Sequence, residues 1–269
     1  MTHRLDRIPY AIGAVALALL LHACGGGGSD QDSIAAQIRV NTPATLAQTS
    51  ADDYDDNVDG VITGPTLKRW VADWTNARPA GITGKLVVLQ VSAGPAGAEY
   101  VKPNASSVFT YLSPSSEWIQ TRNNGVIETQ SMVPDGATMD ALFKKYNIDP
   151  TRDMIVVSMG TGSTTNAMGQ GRVWYALRYW GVERQHLAIL NGGHQWLRTG
   201  PMADADFQAT ASAAPNSGSL SVKSLLVDNT QLQATVQDLL AVLPQGGDQS
   251  MRGTGVFLWD ARSLAQYSA

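Results

Sequence analysis

Short apolar runs alternate along this chain with stretches in which apolar residues recur every three or four positions. The first kind reads as strands buried on both faces, the second as helices buried on one. Residues 85–91 (KLVVLQV), Val108–Leu112, Met154–Ser158 (MIVVS) and Leu187–Leu190 (LAIL) are the predicted strands, and structure is expected to begin near Val61. Thr66 is the candidate cap of a helix that turns Leu67, Trp70, Val71 and Trp74 to one side. Residues 172–179 form a second helical pattern, with Val173, Leu177 and Trp180 on one face, and residues 236–243 a third. Residues 93–104 and 209–219 have the Gly, Pro, Ala and Ser content of a loop and a linker. At the end, residues 255–269 (GVFLWDARSLAQYSA) read as a strand, a turn and the opening of a helix. Strands alternating with helices predict an α/β fold with a parallel sheet.

The stretch that organises the rest runs from Met154 to Leu197. It reads as a strand, a loop over residues 159–171 rich in Gly, Ser and Thr, the helix of residues 172–179, and a strand closed by Asn191-Gly192-Gly193. A loop that leads from a strand into a helix N-terminus aims backbone N–H groups at whatever sits in it, and the helix dipole there favours an anion or a thiolate. A phosphate-cradling P-loop would need a Lys followed by Ser or Thr after its last glycine, which this loop lacks, and a dinucleotide loop is matched only loosely.

Two quoted segments carry a family resemblance. VVSMGTGSTT followed by RVWYALRYWGVERQHLAILNGGHQWL resembles the second half of a rhodanese (thiosulfate sulfurtransferase) domain. In that family a strand ends in a cysteine-headed loop, and the chain continues as a helix and a strand ending in a Gly-Gly turn. Residues 133–149, VPDGATMDALFKKYNID, are similar to the family's preceding helix, and the likeness spans roughly residues 60–200. The resemblance implies a rhodanese-like parallel sheet flanked by helices. It sets Met159 at the place of the nucleophilic cysteine and makes Gly160, Thr161, Gly162, Ser163, Thr164 and Thr165 the active-site-like loop. The segment before Arg172, with Asn166 to Gly171 as an insertion, is about four residues longer than the family's. Sulfur transfer in this family implies a persulfide on a thiolate, and the thioether of Met159 has no ionisable S–H. Ser158, Ser163 and Thr164 are hydroxyls that would need an adjacent base, and no His stands near them in sequence. The family's Asp-x-Arg at the end of its first strand corresponds here to Gln90-Val91-Ser92, whereas Asp260-Ala261-Arg262 is similar to an intact Asp-x-Arg opening a second domain.

Cysteine usage changes the picture most. Cys24 is the one cysteine, so no disulfide framework and no Cys-based zinc site can form within the chain. Residues 1–7 carry His3, Arg4 and Arg7, residues 11–21 are an apolar run of signal-peptide length, and Leu21-His22-Ala23-Cys24 resembles a bacterial lipobox. Cys24 then reads as a lipid anchor, Gly25 to Gly28 as a flexible tether, and Gly25 after the cysteine as a hint of outer-membrane sorting. His3, His22, His186 and His194 are scattered, so no metal site is expected, and Asp52-Asp53-Tyr54-Asp55-Asp56-Asn57 reads as a solvated linker rather than a calcium loop. A formal net charge of −4, with no basic cluster, argues against nucleic acid. Glu117 and Trp118 are candidates to face a ligand.

The expected organisation is a lipoprotein signal peptide (1–23), a lipidated Cys with a flexible linker (24–57), a rhodanese-like domain without its catalytic cysteine (58–203), a linker (204–219) and an incomplete second rhodanese-like domain (220–269). The expected function is a protein of the bacterial cell envelope, lipid-anchored to the membrane through Cys24 and catalytically silent, that uses no cofactor and binds a sulfur-containing oxyanion or an envelope protein. Two alternatives stay open: a thiosulfate sulfurtransferase whose active cysteine lies in missing C-terminal sequence, and a scaffold in an envelope redox or respiratory assembly.

Overall fold

The structure is a computed structural model that describes residues 60–95, 99–104, 106–225 and 229–243. The leader, Cys24 with its tether, the acidic run, and the final strand and turn with Asp260 and Arg262 lie outside the described residues.

The chain runs through β1 (Val61–Ile62), helices α1 (Gly64–Ala72) and α2 (Trp74–Ala77), β2 (Leu86–Gln90), β3 (Tyr100–Val101), β4 (Val108–Leu112), the hairpin of β5 (Gln120–Asn123) and β6 (Glu128–Met132), and α3 (Gly136–Tyr146). It continues through β7 (Met154–Ser158), α4 (Thr164–Tyr179), β8 (Leu187–Leu190), α5 (His194–Leu197), β9 (Phe207–Gln208) and α6 (Val236–Val242). The fold is α/β, as the alternation of elements predicts. Five strands pair in parallel in the order β1-β8-β7-β2-β4.

Both faces of this sheet are buried, which is why its strands read as unbroken apolar runs. Val87, Leu89, Ile155 and Val157 point to one side, where they pack with Phe143 and Tyr146 of α3 and Val173 and Leu177 of α4. Their neighbours Leu86, Val88, Met154 and Val156 point to the other, against Leu67 and Trp70 of α1, Trp74 of α2 and Leu197 of α5. Alternation along a strand thus builds two cores from one sequence run.

Four expectations need correction. The first helix begins at Gly64 with Thr63 as its cap, and Pro65 in its first turn suits that start. It breaks at Asp73, whose carboxylate accepts from the Asn76 amide and starts α2, so Trp74 belongs to a second helix while still facing the same core. The glycine-rich loop is much shorter than residues 159–171. Ser163 caps α4 by accepting from the Asn166 amide at 3.1 Å, and residues 166–171 are helical. Gly169 there admits Ser115, whose Oγ would lie 3.0 Å from a Cβ at that position, so this glycine serves helix packing rather than a turn.

The stretch expected as a linker, 204–219, is bonded to the domain. Phe207 and Gln208 pair antiparallel with Val101 and Tyr100, the Ser212 amide donates to Thr110 O, and the Asn216 and Gly218 amides donate to Lys145 O and Lys144 O. Beyond it, Ser221 Oγ and the Val222 amide both donate to the Asp140 carboxylate at 2.7 Å, and Val222 enters the α3 core. Trp118 is likewise a core residue, 1% exposed, with its indole N–H on Ser113 Oγ. Glu117 accepts from Lys145 Nζ and from the Tyr146 hydroxyl.

Candidate functional site

Parallel strands bring the loops that follow them to one edge of the sheet, and the crevice between neighbouring strands whose connections depart in opposite directions is where such folds hold ligands. Here those strands are β2 and β7, since β2 leads to β4 on one side and β7 leads to β8 on the other. The loops at this switch point are Val91 to Ala93 and Met159 to Ser163, flanked by Asn191 to Gly193 after β8. The sequence-predicted loop therefore sits where the topology would place a site.

The crevice is zipped by hydrogen bonds. Ser92 Oγ donates to Met159 O at 2.8 Å. The Thr161 amide donates to Ala93 O at 2.9 Å and its hydroxyl to the same oxygen at 2.8 Å. Asn166, from the first turn of α4, donates through Nδ2 to Ser92 Oγ at 2.9 Å and to Thr161 O at 2.7 Å. Gly160 has φ +70°, and a Cβ there would lie 1.9 Å from Ser92 O, so both the left-handed turn and the close approach require glycine.

The third loop closes over the second. Gln195 Oε1 accepts from the Gly162 amide and Gln195 Nε2 donates to Gly162 O, each at 2.8 Å. Gly193 meets Gly162 backbone to backbone, with a hypothetical Cβ only 2.3 Å from Gly162 N, which gives the Gly-Gly turn its physical reason. The amides of Thr161 and Gly162 are thus bonded within the protein. The next amides, those of Ser163, Thr164 and Thr165, belong to exposed residues at the cap and first turn of α4, where a helix leaves its N–H groups without intrahelical acceptors.

Met159 is half-buried at the head of the loop. Ser158 is fully buried, Ser163 Oγ is engaged as the helix cap, and neither ring nitrogen of His194 bonds a hydroxyl. The arrangement offers no ionisable nucleophile and no base aimed at a hydroxyl. Among the described residues there is also no group of three His, Cys, Asp or Glu able to hold a metal, and no helix long and apolar enough to cross a membrane.

Beneath the loop lies a buried polar cluster that the sequence reading missed. The His194 amide donates to Gly160 O at 2.8 Å, and its ring, wholly buried, packs on Phe207 with centroids 4.7 Å apart. Nδ1 faces Glu99 Oε1 at 3.5 Å, while Glu99 Oε2 accepts from Arg198 Nη1 at 2.8 Å; Arg198 also pairs with Asp204. Burial, helped by the nearby Arg198 guanidinium, pushes the His194 imidazole down to about 4, so it is neutral near pH 7 despite the carboxylate beside it. Gln90, where the resemblance expects the first residue of Asp-x-Arg, is also fully buried and donates through Nε2 to Ser92 O and Glu99 O at 2.8 Å. The signal for His194 was its place directly after the Gly-Gly turn; Glu99 and Arg198 lie 99 residues apart in sequence and left none.

In comparisons with known proteins, the chain matches no protein-family model and no curated protein sequence.

Proposed function

We propose that this chain is a catalytically silent, rhodanese-like binding domain, held at the bacterial envelope through Cys24, that takes an oxyanion or a protein partner at the N-terminus of α4. Support for the family reading comes from the order of strand, short loop, helix and strand with a Gly-Gly turn, realised by β7, Met159 to Ser163, α4, β8 and Asn191 to Gly193. Support for silence rests on one observation: a thioether heads a loop whose Thr161 and Gly162 amides are closed by Ala93 and Gln195. Sulfane sulfur needs a thiolate to carry it, and Cys24 belongs to the anchor in this reading. The amides of the exposed residues Ser163 to Thr165, at the positive end of a 16-residue helix, are the donors that an oxyanion or a partner's carboxylate would meet.

The test is an assay of the Cys24→Ser chain with thiosulfate and cyanide. The expected result is no thiocyanate above the enzyme-free blank, and steady thiocyanate formation would replace this reading with that of an active sulfurtransferase. Titration of the same chain with thiosulfate, followed through the amide resonances of residues 163–165, separates the two ligands. A saturable shift indicates an oxyanion, and unchanged resonances leave a protein partner.

A further inference from the structure

We infer that the cavity between the β5–β6 hairpin and the outer face of α4 is a binding pocket for a small amphiphilic carboxylate, gripped by Arg172. The cavity measures about 220 Å³ and is lined by Trp118, Ser131, Met132, Val133, Arg172 and Tyr175 among others. At about 30 Å³ for each water-sized atom, it has room for a ligand of roughly seven or eight heavy atoms. It lies two helical turns from the loop at the head of α4 and does not depend on the function proposed for that loop.

The walls are fixed before any ligand arrives. Trp118 is held by Ser113 Oγ at 2.8 Å and stacks on Tyr146 at 6.4 Å. The segment after β6 is held by Arg122 Nη1 on Val133 O at 3.1 Å and by the Trp180 indole N–H on Pro134 O at 2.8 Å. Tyr175 bonds Leu232 O through its hydroxyl at 2.7 Å and so ties the C-terminal segment to the rim.

Arg172 is an exposed side chain that solution would leave free to rotate, yet it is anchored. Its Nη1 donates to Ser131 O at 2.6 Å. Ser131 has φ +60°, a conformation an L-residue with a side chain rarely adopts. The cause is a β-bulge: Gln120 pairs with Met132 but Arg122 pairs with Thr129, which leaves one extra residue on β6. The bulge turns the Ser131 carbonyl toward the guanidinium. The other N–H groups of the fork bond no described residue, and none of the cavity's lining residues is acidic.

One planar fork above an apolar floor selects the ligand's chemistry. A carboxylate matches a guanidinium with two parallel hydrogen bonds and one neutralised charge, and Met132 and Val133, with Trp118 packed behind them, would lie along a short alkyl chain. A sulfate or phosphate would bring a second negative charge, and Arg172 is the one cation among the lining residues.

The test is calorimetric titration of the full chain with sodium hexanoate, with 1-hexanol as a probe of the tail without the charge and sodium sulfate as a probe of an anion without the tail. Hexanoate is expected to saturate one site in the millimolar range that suits a ligand of this size. Arg172→Met should weaken it at least about tenfold while the far-ultraviolet circular dichroism stays that of the original chain, and Arg172→Lys, which keeps the charge but not the fork, should fall between. Hexanol and sulfate should each bind more weakly than hexanoate. Absence of saturation across the millimolar range, equal affinity for hexanol, tighter binding of sulfate, or an Arg172→Met chain that binds like the original would each overturn the assignment.

Discussion

Acidification from pH 7 to pH 4 should weaken this domain by an amount that one side chain largely sets. His194 is fully buried, neither ring nitrogen has a hydrogen-bond partner, and its titration is pushed from 6.5 down to about 4 by burial and by Arg198. In the unfolded chain the same imidazole takes up a proton near its ordinary value. Between those two values the unfolded state binds a proton that the folded state refuses, so stability falls as pH falls and levels off below the folded value. Each pH unit in that window removes about 1.4 kcal/mol, so the full interval costs roughly 3 kcal/mol. That is a large share of the stability of an ordinary domain. The assay is urea denaturation at half-unit pH steps for the original chain and for His194→Asn, which keeps the amide bond to Gly160 O and can reach toward Glu99 but does not titrate. Carboxylates titrate in both chains, so the difference between the two curves isolates His194. A difference that stays flat from pH 7 to pH 4 would refute the reasoning. A difference of the opposite sign would show that Glu99, 3.5 Å from Nδ1, holds the imidazole protonated.

Three substitutions probe the loop and the helix that follows it. Gly160→Ala places a methyl group 1.9 Å from Ser92 O at φ +70°, and a thermal melt should report a loss of about 3 kcal/mol or more. Ser163→Ala removes the acceptor that caps α4 at the Asn166 amide and should cost about 1 kcal/mol in urea denaturation, with unchanged helix content at low denaturant. Gln170→Leu deletes the buried amide that donates to Val157 O at 2.7 Å and Leu190 O at 2.9 Å, across the ends of β7 and β8. It should cost about 2–3 kcal/mol and speed amide exchange at the ends of those strands; unaltered exchange there would mean that the bridge does not hold them together.

The strands were legible because burial on both sheet faces leaves one kind of residue in them. Val108–Leu112, Met154–Ser158 and Leu187–Leu190 appear with the boundaries that their apolar runs give. Helix starts were less so. Residues 159–171 have a loop's composition, yet Ser163 supplies a cap and Ser115 needs the space at Gly169, and both facts depend on packing that composition does not encode. The stretch at 204–219 misled for the same reason: small polar residues suit a linker, but Phe207 finds Val101 across more than a hundred positions and docks the segment.

The site divides along the same line. Sequence by itself determined that no thiolate heads the loop after β7, because Met159 has no ionisable hydrogen wherever it is placed, and that the chain alternates strand and helix. Only the tertiary structure decided what lies around that loop. It joined Ser92, Gln195, His194 and Glu99 at one sheet edge, closed the Thr161 and Gly162 amides, and left Ser163 to Thr165 outward. Residue type fixes chemistry locally, whereas hydrogen-bond closure and desolvation are properties of neighbours that strand order alone brings together.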